Sequence, residues 1–201
     1  MGCAPHPREG DARPGDLADF ASWIDTLPAP VDAACVVHGL ARPLQVEATR
    51  SPLSAQPGTR ESPRLFLFSD DLVISLVPAG VGRDLLELGE VVDASHSIKA
   101  ELELPIEPPL AEDALFERIR QDDGSHCAAC HTEERPDLAS RVIRPEPDTL
   151  FELDELHDEA KGCSGDRDRC DLLRALFAGS VEHHPFDAHF PTFSQLAAEN
   201  L

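Results

Sequence analysis

Apolar residues at Leu17, Phe20, Trp23, Ile24 and Leu27 recur at helical spacing, and Pro28 ends the run. Residues 31–108 read as β-rich. Ala34 to Val37 is a short apolar run within that stretch. Arg64–Phe68 and Leu72–Val77 flank Ser69-Asp70-Asp71, which reads as a hairpin. Leu85 to Val92 follows, interrupted by Gly89. Then Ile98, Ala100, Leu102, Leu104 and Ile106 alternate with Ser97, Lys99, Glu101, Glu103 and Pro105. That period of two predicts a half-buried strand with one apolar and one charged face, and Pro105 demotes its end to an edge position. Thr49 to Pro63, rich in Ser, Pro and Gly, reads as a loop.

Beyond Pro108-Pro109 the period returns to that of helices. Leu115, Phe116 and Ile119 predict a helix over about 111–120. Thr149-Leu150-Phe151-Glu152 fits a capping box, and Leu150, Leu153, Leu156, His157 and Ala160 form a stripe ending at Lys161-Gly162. Cys170, Leu173, Leu176 and Phe177 share a face of a further helix over about 168–178, with a turn and cap at Asp166-Arg167-Asp168. The fold class expected is α+β. An antiparallel β-rich part with a short N-terminal helix (17–108), shaped as a sandwich or small barrel, precedes a small helical, loop-rich region (109–201). Residues 1–16 read as a flexible tether.

The chain has 201 residues, 41% of them hydrophobic, and a net charge of −21. Such a surface repels nucleic acid and anionic membranes, so neither is an expected partner. No run approaches the eighteen apolar residues of a membrane span, and no apolar signal segment is visible. Phosphate loops, nucleophile elbows and H-E-x-x-H motifs are absent from the sequence.

The run that carries chemistry is Cys127-Ala-Ala-Cys130-His131. Two thiols separated by two residues can both add to vinyl groups on one edge of a porphyrin, and the next histidine falls under the iron. These five residues resemble the haem-binding site of c-type cytochromes. The resemblance implies one covalent haem c on Cys127 and Cys130, with His131 as proximal iron ligand, and single-electron exchange with a redox partner protein. Small cytochromes c carry an aromatic residue just before the first cysteine, whereas here the nearest is Phe116, so the resemblance extends to the attachment chemistry and not to their fold. The sole methionine is Met1, so a histidine–methionine iron is not expected. His157, on the apolar stripe, and His183, grouped with His184 and His189, are the candidate distal ligands. His126 adjoins Cys127 on the proximal segment and is a weaker one.

Gly2-Cys3 resembles the end of a bacterial lipobox, which implies a lipid anchor on Cys3 as the one route to a membrane. Outside the motif the chain resembles bacterial lipoproteins. The six cysteines divide accordingly. Cys127 and Cys130 go to haem, and Cys163 with Cys170 suits a local disulfide. Cys3 and Cys35 either pair or leave Cys35 free beside a lipidated Cys3. Haem attachment and disulfides both point outside the cytoplasm, to the periplasm or outer surface. Three other uses stay open: an extracellular binding module with a Cys127–Cys130 disulfide, a five-coordinate haem enzyme or ligand sensor, and zinc held by Cys127, Cys130, Cys163 and Cys170. The acidic run Glu152, Asp154, Glu155, Asp158, Glu159 reads as a solvated helix face.

Overall fold

A computed structural model describes residues 10–50, 54–122, 124–131, 133–143 and 150–190. Helix α1 (Leu17–Ile24) starts where the Asp16 carboxylate accepts the Asp19 N–H at 2.7 Å, and it buries Leu17, Phe20 and Ile24. Helix α2 (Ala33–Gly39) contains the apolar run Ala34–Val37 that the sequence groups with the strands. Asp32 caps it through the Cys35 N–H at 2.8 Å. Gly39 lets it approach α1, since a Cβ there would stand 2.7 Å from the Trp23 ring.

Strands β1 (Leu44–Thr49), β2 (Arg64–Ser69), β3 (Leu72–Leu76), β4 (Leu85–Asp93) and β5 (His96–Glu103) form an antiparallel meander. The expected hairpin joins β2 to β3, with Asp70 at φ 49° in its turn. A short helix α3 (Ala114–Glu117) replaces the longer one expected at 111–120. A small hairpin of β6 (Arg120–Gln121) and β7 (Gly124–Ser125) follows. Strand β8 (Ala139–Arg141) adds to β5 at residues 96–98 only, so the Pro105 end of β5 stays an edge. Strand β9 (Leu150–Phe151) pairs with the end of β1, and helices α4 (Leu153–Gly162) and α5 (Arg167–Leu176) come next. Strand β10 (Val181–His183) runs parallel to the start of β1, and helix α6 (Phe186–His189) closes the described chain. The sheet has eight strands in the order β10-β1-β2-β3-β4-β5-β8, with β9 beside β1.

The protein is therefore α+β with a β-rich part, but one sheet backed by helices takes the place of the sandwich or barrel expected. Alternation along the strands gives the sheet two unlike faces. Leu65, Leu67, Leu72, Ile74, Leu76, Leu86, Leu88, Ala100 and Leu102 share one core with α1, α2, α4 and α5. Helices supply the second layer that a sandwich would draw from another sheet. The core crosses residue 108: segments on either side of it contribute to one cluster.

Helix α4 begins three residues later than the capping box suggests, because Leu150 and Phe151 bond to Thr49 and Ala48 as a strand. Glu152 makes no side-chain cap. Thr149 lies outside the described residues. Helix α5 starts as expected, with the Asp166 carboxylate accepting the Asp168 and Arg169 N–H groups. The Cys163–Cys170 disulfide forms as expected and ties the end of α4 to α5. Arg42 donates to the Leu176 and Ala175 carbonyls at 2.6 Å each, capping the C-terminus of α5 with a cation from the entrance to β1. Cys35 is disulfide-bonded, which removes its reading as a free buried thiol.

Candidate functional site

The opposite face of the sheet is half aromatic and half polar. Phe66 and Phe68 of β2, Val73 and Val91 pack with Val142, Phe186 and Phe190. Toward β5 the same face carries Arg64, Ser75, Glu87, Ser97, Lys99 and Glu101. Sequence alternation reads Ser97, Lys99 and Glu101 as a solvent face. Instead Ser97 is fully buried and Glu101 is 5% exposed, because α3, the β6–β7 hairpin and β8 roof this end of the sheet.

Ion pairs hold much of the roof down. Arg118 donates to Glu101 at 2.7 Å and to Glu103 at 2.9 Å, and Arg135 donates to Asp93 at 2.7 Å. His96, Ser95 and Arg135 hold the Asp93 carboxyl well below the usual carboxylate range. Glu134 closes the loop on itself by accepting the Ser125 N–H at 2.9 Å and the Ser125 hydroxyl. Gly124, at φ 128°, makes this possible: a Cβ there would meet the Glu134 carboxylate at 2.3 Å.

The Cys127–His131 motif sits inside this loop. A 3₁₀ turn over His126–Ala129 continues into a bond from the His131 N–H to the Cys127 carbonyl at 2.8 Å. The C-x-x-C-H spacing places both thiols and the imidazole on this one tight turn, with Cys130 exposed and Cys127 and His131 half-buried. Both cysteines are free thiols. The Arg141 carbonyl lies 3.0 Å from His131 Nδ1. A carbonyl only accepts, so Nδ1 carries the hydrogen and Nε2 keeps its lone pair in the neutral ring. Burial, reinforced by the Lys99 charge, lowers the His131 pKa to about 3, which keeps the ring neutral. Burial also pushes the Cys127 thiol up, against a hydrogen bond from Ser125.

These residues fit a covalently attached haem by their donor set: two unpaired thiols beside a neutral imidazole whose remote nitrogen is fixed by a backbone carbonyl. Cys127 and Cys130 are not joined to each other, so the short disulfide of the non-haem reading is absent. Cys163 and Cys170 are joined, so the four-cysteine zinc site cannot form, and no group of three or more ligand side chains gathers among the described residues.

Lys99, Glu87 and Arg64 lie under the motif. Arg64 donates to Glu87 at 2.5 Å and to Ser75 at 2.6 Å, and Gln56 donates to the Leu85 carbonyl at 2.7 Å. Lys99 is desolvated yet only half-buried, as is His131. Side chains that sit deep in the protein and still keep accessible surface line a recess. Sequence reasoning missed this group. The one available signal was the placement of a lysine, one of two in an arginine-rich chain, at the centre of a strand.

The four candidate distal histidines separate. His157 is exposed on α4, stacked on Phe177 at 4.8 Å, in the helix layer across the sheet from His131. His183 is exposed on β10, 3.6 Å from the Glu47 carboxylate, at the opposite edge of the sheet from β8. Neither is brought together with His131. His184 and His189 lie on His131's face of the sheet, each ring 4.8 Å from Phe68 and 5.7 Å from each other. Their Nε2 atoms are buried without a hydrogen-bond partner. Burial lowers both pKa values, that of His189 to about 4. His126 is exposed, 3.9 Å from Glu101. No helix among the described residues is long and apolar enough to cross a membrane. Comparison with protein families, with curated proteins and with solved structures finds no match to this chain.

Proposed function

We propose that the chain carries one haem c, bonded through Cys127 and Cys130 with His131 as axial ligand, and passes single electrons to a protein partner in the bacterial cell envelope. One observation carries the reading. Two free thiols and a neutral imidazole share one tight turn, and the Arg141 carbonyl fixes that imidazole with its Nε2 lone pair available. When bound, the haem supplies a one-electron ferrous–ferric couple. The chain holds His131 in one tautomer, shelters it from water and surrounds the motif with fixed charges. The Cys163–Cys170 bond and the bonded Cys35 support an oxidising location. Because Cys35 is disulfide-bonded, the alternative that leaves it free beside a lipidated Cys3 is not part of this proposal.

A second reading keeps the iron five-coordinate for small-ligand chemistry. It is favoured by the placement of His157 and His183 away from His131. If a protein histidine completes the coordination, it is His184 or His189, on the shared face.

The test is expression with the cytochrome c maturation machinery. Matured protein gains the mass of one haem, retained after acid extraction, and Cys127→Ser/Cys130→Ser loses it. Sharp α and β bands in the reduced spectrum indicate six-coordinate iron, and a broad high-spin spectrum indicates the second reading. Colourless protein with the mass of the bare polypeptide refutes both.

A further inference from the structure

Four polar groups on the roofed face of the sheet lack partners, and they converge on Gly89. Lys99 stands directly across from Gly89 in the β4–β5 ladder. Its Nζ lies 3.4 Å from the point a Cβ on residue 89 would occupy, and Ser97 Oγ lies 3.8 Å from that point. Ser97 in turn faces Ser140 of β8. Glu87 is two residues before Gly89, on the same face by alternation. Ser97 Oγ, Ser140 Oγ and Glu87 Oε1 are buried without a hydrogen-bond partner. Lys99 likewise has no hydrogen bond or ion pair among the described residues. Each buried orphan of this kind costs about 1–3 kcal/mol, so three of them beside an unpaired, half-buried lysine mark a site for something that bonds to them.

Charge decides what that is. Arg64 neutralises Glu87 at 2.5 Å, and Arg118 neutralises Glu101 at 2.7 Å. Lys99 is left uncompensated, in a chain whose net charge is −21. We infer that the recess over Gly89 binds a small carboxylate or oxyanion, taken by Lys99 Nζ and the hydroxyls of Ser97 and Ser140. Glu87 Oε1 can only accept, so the anion that satisfies all four groups retains one O–H, as bicarbonate does. The missing side chain of Gly89 is the floor of the site. The inference does not rest on the haem reading, although a haem propionate offers the same chemistry as a free anion.

Calorimetric titration with bicarbonate, formate and chloride at constant ionic strength tests it, on matured protein and on Cys127→Ser/Cys130→Ser in parallel. Lys99 and Lys161 are the two lysines in the chain, so ¹⁵N-lysine labelling of the serine variant yields two side-chain signals. The expected result is saturable binding of bicarbonate, weaker binding of formate and none of chloride, with the Lys99 signal shifting and that of Lys161 unmoved. Binding to both proteins assigns the site to a free anion. Binding to the serine variant alone assigns it to a haem carboxylate in the matured protein. Gly89→Ala fills the floor and should abolish binding with Lys99 still present, and Ser97→Ala/Ser140→Ala should weaken it about tenfold. An absence of binding to either protein, or unaltered binding by Gly89→Ala, overturns the inference and leaves the four groups to water.

Discussion

Replacing Lys99 by methionine should stabilise the protein, and by an amount that depends on pH. Burial, aided by repulsion from Arg64, lowers the Lys99 pKa from 10.5 to about 8, although Glu87 pulls the other way. Between those two values the unfolded chain binds a proton that the folded chain does not, so stability rises with pH across that window. Below about pH 8 the folded state bears the whole penalty. The gap of about 2.5 pH units, at about 1.36 kcal/mol each, makes that penalty about 3 kcal/mol. Methionine has nearly the length of lysine and no charge, so Lys99→Met removes it. The chain suits the measurement because it contains no tyrosine. The Lys99 charge also acts on the Cys127 thiol, so the comparison is made in the Cys127→Ser/Cys130→Ser background, where that coupled titration is absent. Urea unfolding followed by far-ultraviolet circular dichroism from pH 7 to pH 10.5 reads the difference. The advantage of Lys99→Met should shrink by about 3 kcal/mol across that range. Adding bicarbonate should narrow it at pH 7, since an anion bound to Lys99 offsets the same penalty. A difference that stays constant to about 0.5 kcal/mol would refute the placement of an uncompensated ammonium in the recess.

Acid should act through His189, whose pKa falls to about 4 on burial. The unfolded chain then binds the extra proton between about pH 4 and 6.5, so stability is full above 6.5 and drops by at most about 3 kcal/mol as pH falls to 4. His189→Phe should flatten that slope in urea titrations, and an unchanged slope would contradict its burial. Opening the Cys163–Cys170 bond by a double serine replacement should lower stability by about 2.5 kcal/mol, the chain-entropy cost of its short loop. A loss below about 1 kcal/mol in thermal unfolding would show that the two helix ends stay together without it. Arg42→Met removes both carbonyl contacts at the end of α5. It should cost about 1–3 kcal/mol, with hydrogen exchange quickening first in the last turn of α5, and uniform exchange would count against the cap.

The first face of the sheet was legible in the sequence because its apolar residues obey one period. Leu65, Leu67, Ile98, Ala100 and Leu102 are separated by two, and the structure buries or half-buries all of them on one side. Phe20, Ile24, Leu173 and Leu176 are spaced for helices and are fully buried. Short apolar runs carry no such period. Ala34–Val37 is helical because Asp32 caps it, and Leu150-Phe151 is a strand because the end of β1 offers a free edge. The thiols and imidazole of the motif were legible because their spacing is itself chemistry. The Lys99 recess was hidden. Alternation reveals which strand residues share a face and not whether a loop fifteen or more residues downstream covers that face. The same gap misplaced His157: its stripe is apolar, but the layer it joins lies across the sheet from His131.

The roof over this recess is built unlike the rest of the protein. Its buried apolar anchors include Leu115, Ile119, Ala139 and Val142, whereas the helix layer on the other face contributes most of the large core. Much of its attachment is charge: Arg118 to Glu101 and Glu103, Arg135 to Asp93, Arg141 to Glu133 at 2.5 Å. Pairs of this exposure contribute about 0–1 kcal/mol each and weaken with salt. A segment so lightly held belongs to the low-stability end of a fold, where binding loops are found. It is also the segment that presents two free thiols and an oriented imidazole, above a lysine with no partner. Stability alone would favour an apolar strand face at Ser97, Lys99 and Glu101, matching the side of β5 that packs against the helices. The chain instead keeps polar groups beneath a charge-tethered loop. That arrangement makes physical sense when what binds there supplies the bonds the polypeptide leaves unmade.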